Sequence, residues 1–152
     1  MEIERKYLVR ELPDNLDSYP HTEIEQGYLS TSPTLRIRRM GDSYILTVKE
    51  RRHTSTSAIV NREEEFAMTA DSYERLKAKC DGSLVSKTRY RIPLSGGLTA
   101  ELDIFHGKHE GLQLVEVEFP SVEAADAFVA PDWFGDDVSG DPRYRNSYLA
   151  SL

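Results

Sequence analysis

Acidic side chains recur in pairs separated by one residue, and the pairs are spread along the chain. The pairs are Glu2 and Glu4, Glu63 and Glu65, Glu101 and Asp103, and Glu116 and Glu118. Residues two apart in a β-strand share a face, so each pair would place two carboxylates side by side. Carboxylate oxygens suit Mg²⁺ or Mn²⁺, and no Cys/His spacing suggests zinc. The pairs predict a site for divalent cations.

Basic side chains occupy further strand faces in the same way. They are Lys6, Arg36, Arg38, Lys49, Lys87 and Arg89. Arginine gives forked contacts to phosphate oxygens, and lysine gives point-charge contacts. Carboxylates on one wall and cations on the other would hold a polyphosphate between metal and cation.

The overall charge bounds the possible partners. The formal net charge is −7 and the pI is about 5.1, which argues against a general nucleic-acid binder. An acidic protein is also a poor match for an anionic substrate. That objection fails if the acidic groups hold metal ions, because bound cations invert the local electrostatics.

The elements that carry these residues alternate between apolar and polar positions with a period of two. Such stretches cover residues 2–9, 23–30, 34–40, 43–51, 57–68, 84–93, 98–105 and 112–120. Short turns connect several of them, which favours antiparallel neighbours. Eight such strands in one small domain predict an antiparallel β-barrel, since closure removes exposed sheet edges.

Two arrangements of that barrel are compatible with alternation. The charges are either solvated on the outer surface or they line a wide interior, with the apolar faces packed outward under helices. Like-charged pairs segregated by strand do nothing for solubility and favour the second arrangement.

Within residues 62–65 the register is ambiguous. Phe66 and Met68 share parity with Glu64, so we expect Glu63 and Glu65 inside, and a one-residue slip would substitute Glu64.

Three further stretches are typical of helices. Residues 69–81 have Thr69 as N-cap, residues 121–129 have Ser121 as N-cap, and Asp141-Pro142 predicts the start of a C-terminal helix. Residues 131–140 are expected to form a loop. The prediction is therefore one α+β domain over residues 1–152, an eight-stranded antiparallel barrel or tunnel with helices packed outside and a C-terminal helix.

The remaining composition is ordinary for a globular chain of 152 residues, with 39% apolar and 30% charged residues. The single cysteine, Cys80, cannot form an internal disulfide. No apolar run is long enough to span a membrane, and the charged N-terminus does not resemble a signal peptide. These features predict a cytoplasmic protein without membrane or nucleic-acid partners, either a monomer or a homodimer.

The ordered set of motifs resembles one protein family. The N-terminal Glu2-Ile3-Glu4-Arg5-Lys6 is similar to the ExExK signature of the CYTH superfamily, the triphosphate tunnel metalloenzymes. Further matches follow in the family's order: Gln26-Gly27-Tyr28-Leu29, Arg36-Ile37-Arg38, Thr47-Val48-Lys49, residues 62–65, Lys87-Thr88-Arg89, Glu101-Leu102-Asp103 and Glu116-Val117-Glu118.

The resemblance implies an eight-stranded tunnel that binds a triphosphate with Mg²⁺ or Mn²⁺, with two ions expected. On the family pattern the metal ligands are Glu2, Glu4, Glu63, Glu65, Asp103, Glu116 and Glu118. The phosphate-binding residues are Arg36, Arg38, Lys49, Lys87 and Arg89. Catalytic roles fall to Lys6, near the reacting phosphoryl group, and to Glu4 and Glu118, lumen acids near the metal.

The expected reaction is hydrolysis of inorganic tripolyphosphate to pyrophosphate and phosphate. The alternatives are a class IV adenylate cyclase, a hydrolase of nucleoside or thiamine triphosphate, and a non-catalytic polyphosphate-binding protein.

Two further segments each have two possible interpretations. Residues 51–57 form either a lid or a hairpin tip, and residues 143–145 either reach phosphate or lie on the exposed side of the last helix. The histidines, including His53, are expected to be structural or solvated.

Overall fold

The computed structural model describes residues 1–52 and 54–152. Long alternating segments form strands in this part of the chain. The strands are β1 (Glu2–Val9), β2 (His21–Thr31), β3 (Thr34–Met40), β4 (Ser43–Arg51), β5 (Ile59–Ala67), β6 (Asp81–Pro93), β7 (Thr99–Phe105), β8 (Gln113–Glu118) and β9 (Phe134–Asp137). The helices are α1 (Ala70–Lys77), α2 (Val122–Ala127) and α3 (Asn146–Ser151).

Eight strands form a closed antiparallel barrel. Their order is β5-β4-β3-β2-β6-β7-β8-β1, and β1 also pairs with β5 to close the sheet. Closure leaves each barrel strand with a neighbour on both sides, which removes most exposed edges. The predicted α+β barrel with external helices and a C-terminal helix is confirmed.

One apolar core lies outside the barrel, and a second lies on the inner face of several strands at one end of the barrel. Tyr7, Leu102, Val115 and Val117 face outward from their strands and pack beneath α2 and Phe134 in one buried cluster. In the second cluster, Val85, Phe105 and Leu114 lie on the inward faces of β6, β7 and β8 and pack against Leu149 of α3. Since side chains alternate along a strand, burying one set outside directs the charged set into the barrel.

The predicted helices exist but are shorter than expected. Thr69 and Ser121 cap α1 and α2 by accepting hydrogen bonds from backbone N–H groups three residues later. The predicted start of the C-terminal helix, at Asp141-Pro142, was wrong. A 3₁₀ turn occupies Pro142–Tyr144, Arg145 is extended, and α3 begins only at Asn146.

The segment 131–140 was wrongly expected to be a loop throughout. It contains β9, which pairs with Tyr7 and Val9 of β1 beyond the point where β1 leaves β5. Of the predicted 51–57 loop, His53 lies outside the described residues. No helix in the described parts of the chain has both the length and the apolar character to cross a membrane.

Candidate functional site

A cavity of about 720 Å³ occupies the barrel interior, and charged side chains line much of its wall. Its acidic residues are Glu2, Glu4, Glu50, Glu63, Glu65, Glu101, Glu116, Glu118 and Asp141. Its basic residues are Lys6, Arg36, Arg38, Lys49, Arg51, Arg89 and Arg145. The structure thus brings together all but two of the site residues predicted from the sequence; Lys87 and Asp103 lie elsewhere.

Strands β1 and β8 build an acidic wall because their inward-facing residues pair across the sheet. Glu4 lies opposite Glu118, and Lys6 lies opposite Glu116. Like charges directly opposite each other in an antiparallel pair repel. The Glu4 and Glu118 pair is therefore unfavourable unless a proton or a cation lies between the carboxylates.

The pKa values of the acids on β1 and β8 are shifted by burial and by neighbouring charges. Burial raises the pKa of Glu4 well above its ordinary value, and the charges of Glu116 and Glu2 raise it further. Burial also raises the pKa of Glu118. For Glu116, burial alone would raise the pKa, but the charges of Lys6, Arg89, Lys87 and Lys49 together outweigh it and hold the pKa well below the usual range. The wall carries more negative charge than its own cations balance.

Lys49 on β4 links acids from two other strands. Its Nζ lies 3.0 Å from Glu2 Oε1 and 3.2 Å from Glu63 Oε2, and Asn61 also donates to Glu2 Oε1 at 3.0 Å. Burial alone would lower the pKa of Lys49, but Glu2, Glu4 and Glu63 outweigh it and raise the pKa. The approach to Glu63 lacks hydrogen-bond geometry, so its buried Oε2 has no hydrogen-bond donor among the described residues.

Two arginines on β3 form part of the opposite, basic wall. Arg36 Nη2 donates to Thr47 Oγ1 at 3.4 Å, and Arg38 Nε donates to Gln26 Oε1 at 2.9 Å. Burial lowers the pKa of Arg38 to about 9, helped by the positive charges of Arg36 and Arg89. Arg36 Nε is buried and has no acceptor in the described part of the chain. A buried donor without a partner is costly, and an anion in the cavity would satisfy it.

Lys87 and Asp103 are buried on the inward faces of β6 and β7 next to Arg89, and they are not among the residues that line the cavity. Asp103 accepts hydrogen bonds from Arg89 Nε and Nη2 at 2.8 and 2.9 Å, and Lys87 Nζ lies 2.7 Å from Asp103 Oδ2. Arg89 also donates to Glu101 at 3.2 Å. Both oxygens of Asp103 are therefore engaged by cations.

The register of β5 decides which of its acids face the cavity. Glu63 lies opposite Lys49 and Glu65 opposite Thr47, and both acids line the wall. Glu64 points outside, where its Oε1 lies 3.5 Å from Arg62. Phe66 shares that outer face and is 52% exposed. The expected choice of Glu63 and Glu65 agrees with this placement.

The C-terminal segment borders one end of the cavity. Lys6 Nζ donates to the carbonyl of Tyr144 at 2.9 Å, and Lys87 Nζ donates to Asn146 Oδ1 at 3.1 Å. Arg145 reaches the wall, whereas Arg143 points away and pairs with Asp141. Sequence reasoning missed Asn146 as a partner of Lys87, because nothing local links an asparagine to a strand 59 residues away.

The histidines in the described ranges, 1–52 and 54–152, lie away from the cavity. His106 Nε2 is 2.6 Å from Thr88 Oγ1 on the outer surface of the barrel. His109 is buried, with Nε2 2.6 Å from the carbonyl of Leu149 on α3. These contacts are structural, as expected from the sequence for loop histidines.

Together the two walls can bind an anion and cations at once. Arginines on β3 and β6 offer donors to an anion's oxygens, while carboxylates on β1, β5 and β8 offer oxygen donors to a metal. A phosphate-bearing ligand with bound divalent cations has this combination of charges.

Comparison with known families decides the relationship. A model described as the CYTH domain matches residues 1–143. The chain belongs to the CYTH family. The match includes all nine strands and every charged wall residue described above except Arg145.

Individual relatives cover this CYTH chain almost end to end. An inorganic triphosphatase from Nitrosomonas europaea is 42% identical over 98% of this chain and 96% of its own. An inorganic triphosphatase from Acetivibrio thermocellus is 35% identical over 97% of this chain and 92% of its own. A crystal structure of an inorganic triphosphatase superposes with a TM-score of 0.72 and 38% identity, covering 100% of this chain and 95% of the other.

Proposed function

We propose that this CYTH protein is a divalent-metal-dependent hydrolase of linear triphosphates, with inorganic tripolyphosphate converted to pyrophosphate and phosphate. The proposal rests on one observation: a carboxylate wall and a wall of arginines and lysines face each other across the same cavity. The inorganic triphosphatases to which the chain is similar support the same reaction.

The carboxylates fit Mg²⁺ or Mn²⁺ by their chemistry. They are hard oxygen donors, they repel one another, and Glu63 Oε2 has no hydrogen-bond donor among the described residues. In the described parts of the chain, no three His, Cys, Asp or Glu residues converge into a preformed metal cluster. Mg²⁺ characteristically binds one or two carboxylates together with substrate phosphates and water, so a loose set of acids suits it.

We assign two metal ions to two groups of acids. Glu2, Glu4, Glu116 and Glu118 on β1 and β8 would hold one ion, and Glu63 and Glu65 on β5 would contribute to the second. When bound, such ions neutralise phosphate charge and lower the pKa of water. This assignment uses every predicted metal ligand except Asp103, whose oxygens are engaged by Lys87 and Arg89.

The arginines and lysines would hold the substrate. Arg36, whose Nε has no acceptor among the described residues, and Arg38 would bind phosphate oxygens from β3, and Arg89 would do so from β6. Lys49 would move between Glu2 and a phosphate oxygen as the acids bind metal. Lys87 would act through Asp103 and Arg89 rather than by direct contact. These fixed charges would stabilise the charge that spreads over the leaving pyrophosphate.

Proton transfer falls to the acids of β1 and β8. Burial raises the pKa of Glu118, which makes its carboxylate a stronger base toward an attacking water than an ordinary surface acid. Glu4 has a raised pKa for the same reason and is the second candidate. Lys6, whose Nζ lies 3.7 Å from Glu116, would place its charge next to the reacting phosphoryl group.

A substrate panel tests this proposal. Tripolyphosphate, ATP and thiamine triphosphate are each incubated with Mg²⁺, Mn²⁺ or a chelator, and phosphate and cyclic nucleotide are measured. We expect phosphate from tripolyphosphate in the presence of metal and none with chelator. Cyclic AMP from ATP would make the protein a cyclase, faster hydrolysis of ATP or thiamine triphosphate would change the substrate, and binding without turnover would make it a polyphosphate-binding protein.

Two further properties complete the proposal. A cytoplasmic location agrees with the one free cysteine, Cys80, and fractionation of cells would test it. The active unit is proposed to be a monomer or a homodimer, which sedimentation equilibrium would distinguish.

A further inference from the structure

Arg5 lies between the cavity acids of β1 but points to the opposite side of the strand. Its neighbours Glu4 and Lys6 face the cavity, whereas the Arg5 guanidinium lies outside the barrel, buried beneath α2 at 8% exposure. Burying a guanidinium is costly unless its donors are used. The site described above does not use Arg5 at all.

The hydrogen bonds of the Arg5 side chain reach three separate parts of the chain outside β1. Nε donates to the carbonyl of Ala125 at 2.8 Å, and Nη2 donates to Asp126 Oδ1 at 3.2 Å. Nη1 donates both to Ser57 Oγ at 3.0 Å and to Asp137 Oδ2 at 3.2 Å. One side chain therefore joins α2, the end of β9 and the segment leading into β5.

These contacts lie where β1 changes partner along one edge. Glu2–Glu4 pair with Ile59–Asn61 of β5, and from Tyr7 onward the same edge pairs with β9. The pairing of Glu2–Glu4 with β5, which we call the seam, closes the barrel through a shorter run of partners than the other strand pairs of the barrel have. Arg5 occupies the gap between the two partners.

A second chain of contacts secures the same place. Thr56 Oγ1 donates to Asp126 Oδ1 at 2.6 Å and accepts from the Ala58 backbone N–H at 3.1 Å. Ala58 is itself buried in the outer core and leads directly into Ile59 of β5. Asp126 thus ties Arg5 to the entry of β5 from outside the barrel.

We propose that Arg5 is a positioning residue that holds the seam in register and thereby sets where Glu2 and Glu4 stand in the cavity. The inference rests on the proposed function, because Glu2 and Glu4 are the metal-binding acids of that proposal. Loosening the seam would displace these acids while leaving Arg36 and Arg38, on the other side of the barrel, in place. Displacements of about 1 Å at a catalytic site cost up to about a hundred-fold in rate.

Three variants, Arg5→Met, Asp126→Asn and Arg5→Lys, and a matched control test the proposal. Arg5→Met removes all the contacts, and Asp126→Asn weakens those to Arg5 and Thr56 at a residue that is 52% exposed, so the fold is preserved. Asp71→Asn is the control, since it makes the same change in an exposed acid paired with Arg75 on α1, remote from the seam. Amide hydrogen exchange of Ile59–Asn61, together with kcat and KM for tripolyphosphate, is measured for each.

For Asp126→Asn we expect exchange at Ile59–Asn61 to accelerate about five-fold, the factor that loss of one net hydrogen bond gives, with β6 and β7 unchanged. We expect kcat to fall about ten-fold or more and KM to stay within about two-fold, because the arginines of β3 still bind phosphate. Arg5→Lys should restore little, since an ammonium cannot reach the separate acceptors that the guanidinium joins.

Other results would overturn the inference. Exchange that accelerates equally in β6 and β7 would mean that Arg5 contributes only general stability. Faster exchange at the seam with unchanged kcat would mean that the seam does not set the position of the acids. A wild-type protein that hydrolyses no triphosphate would refute the proposed function instead, and the exchange measurement would still decide whether Arg5 holds the seam.

Discussion

The Lys87 ammonium lies 2.7 Å from the Asp103 carboxylate, and neither side chain is more than 1% exposed. Asp103 is also held by two donors of Arg89, so a single carboxylate faces two cations. Burial lowers the pKa of Lys87 to about 7 even beside Asp103, and the charges of Arg89 and Arg38 act in the same direction. Arg89 and Lys87 outweigh burial at Asp103 and lower the pKa of its carboxyl.

Lys87 should therefore make stability depend on pH. In the unfolded chain lysine keeps its proton up to a pKa of about 10.4, whereas folded Lys87 loses it near 7. Between those values the unfolded chain binds more protons, so stability rises with pH, by at most about 1.4 kcal/mol per pH unit. Between pH 7 and about 9, we expect the free energy of unfolding of the wild type to increase relative to that of Lys87→Met. A pH-independent difference in urea denaturation would contradict this.

The Glu4 carboxylate should lower the stability of the metal-free protein and be required for turnover. Its carboxyl is buried beside Glu116 and Glu2, so the ionised form is unfavourable without metal. Glu4→Gln removes that charge, and we expect the melting temperature in chelator to rise by about 2–4 °C. Turnover of tripolyphosphate should fall about a hundred-fold or more, because the amide is a poor metal ligand. Glu64→Gln, on the outer face of β5, is the control and should leave turnover unchanged; loss of turnover there would point to the alternative register.

Arg36 should act through its forked geometry. Its buried Nε has no acceptor among the described residues, and a lysine at this position has no equivalent donor. We expect Arg36→Lys to raise KM for tripolyphosphate about ten-fold, the effect of one charge-assisted hydrogen bond. Arg39→Lys on the exposed outer face of the same strand should leave KM unchanged. Equal effects of the two substitutions would argue against a direct contact to substrate.

Gly82 allows α3 to approach the barrel. Its φ is +71°, and a Cβ there would collide with the backbone carbonyl of Ala150. Gly96 has a similar φ of +75°, but a Cβ there would meet nothing within 4 Å. We expect Gly96→Ala to cost about 1 kcal/mol in stability from backbone strain alone. Gly82→Ala should cost about 1–3 kcal/mol more and raise the exchange rate of α3 amides. Equal losses of unfolding free energy would mean that the close approach is unimportant.

Much of this architecture is predictable because alternation directly encodes which face a side chain occupies. Phe66 and Met68 share parity with Glu64, and that alone predicted that Glu63 and Glu65 face inward. The same rule predicted that the β3 arginines line the barrel. Face is a local property of a strand, so one sequence suffices to assign it.

Depth within the barrel is not a local property. Asp103 has the parity of a wall residue, yet its carboxylate pairs with Lys87 and Arg89 from β6 and does not line the cavity. Whether a carboxylate meets substrate or a neighbouring cation depends on the length of side chains on the next strand. Alternation alone therefore cannot decide whether Asp103 binds metal.

Short elements held by distant partners were also missed. β9 has four residues and a register shift against β1, so it lacks the alternation that marks longer strands. The break before α3 coincides with the Tyr144 carbonyl that Lys6 holds from the other end of the chain. Local signals such as Asp141-Pro142 predict where a helical turn starts and contain nothing about such contacts.

The central claim is that the cavity hydrolyses a linear triphosphate with the help of a divalent metal. Phosphorus NMR of tripolyphosphate mixed with the protein tests it most directly, in Mg²⁺ or Mn²⁺ and again after addition of chelator. We predict that the tripolyphosphate signals disappear as orthophosphate and pyrophosphate appear in equal amounts, and that chelator stops the reaction. Tripolyphosphate signals that persist in the presence of both metals, or that decay equally fast in chelator, would contradict the account.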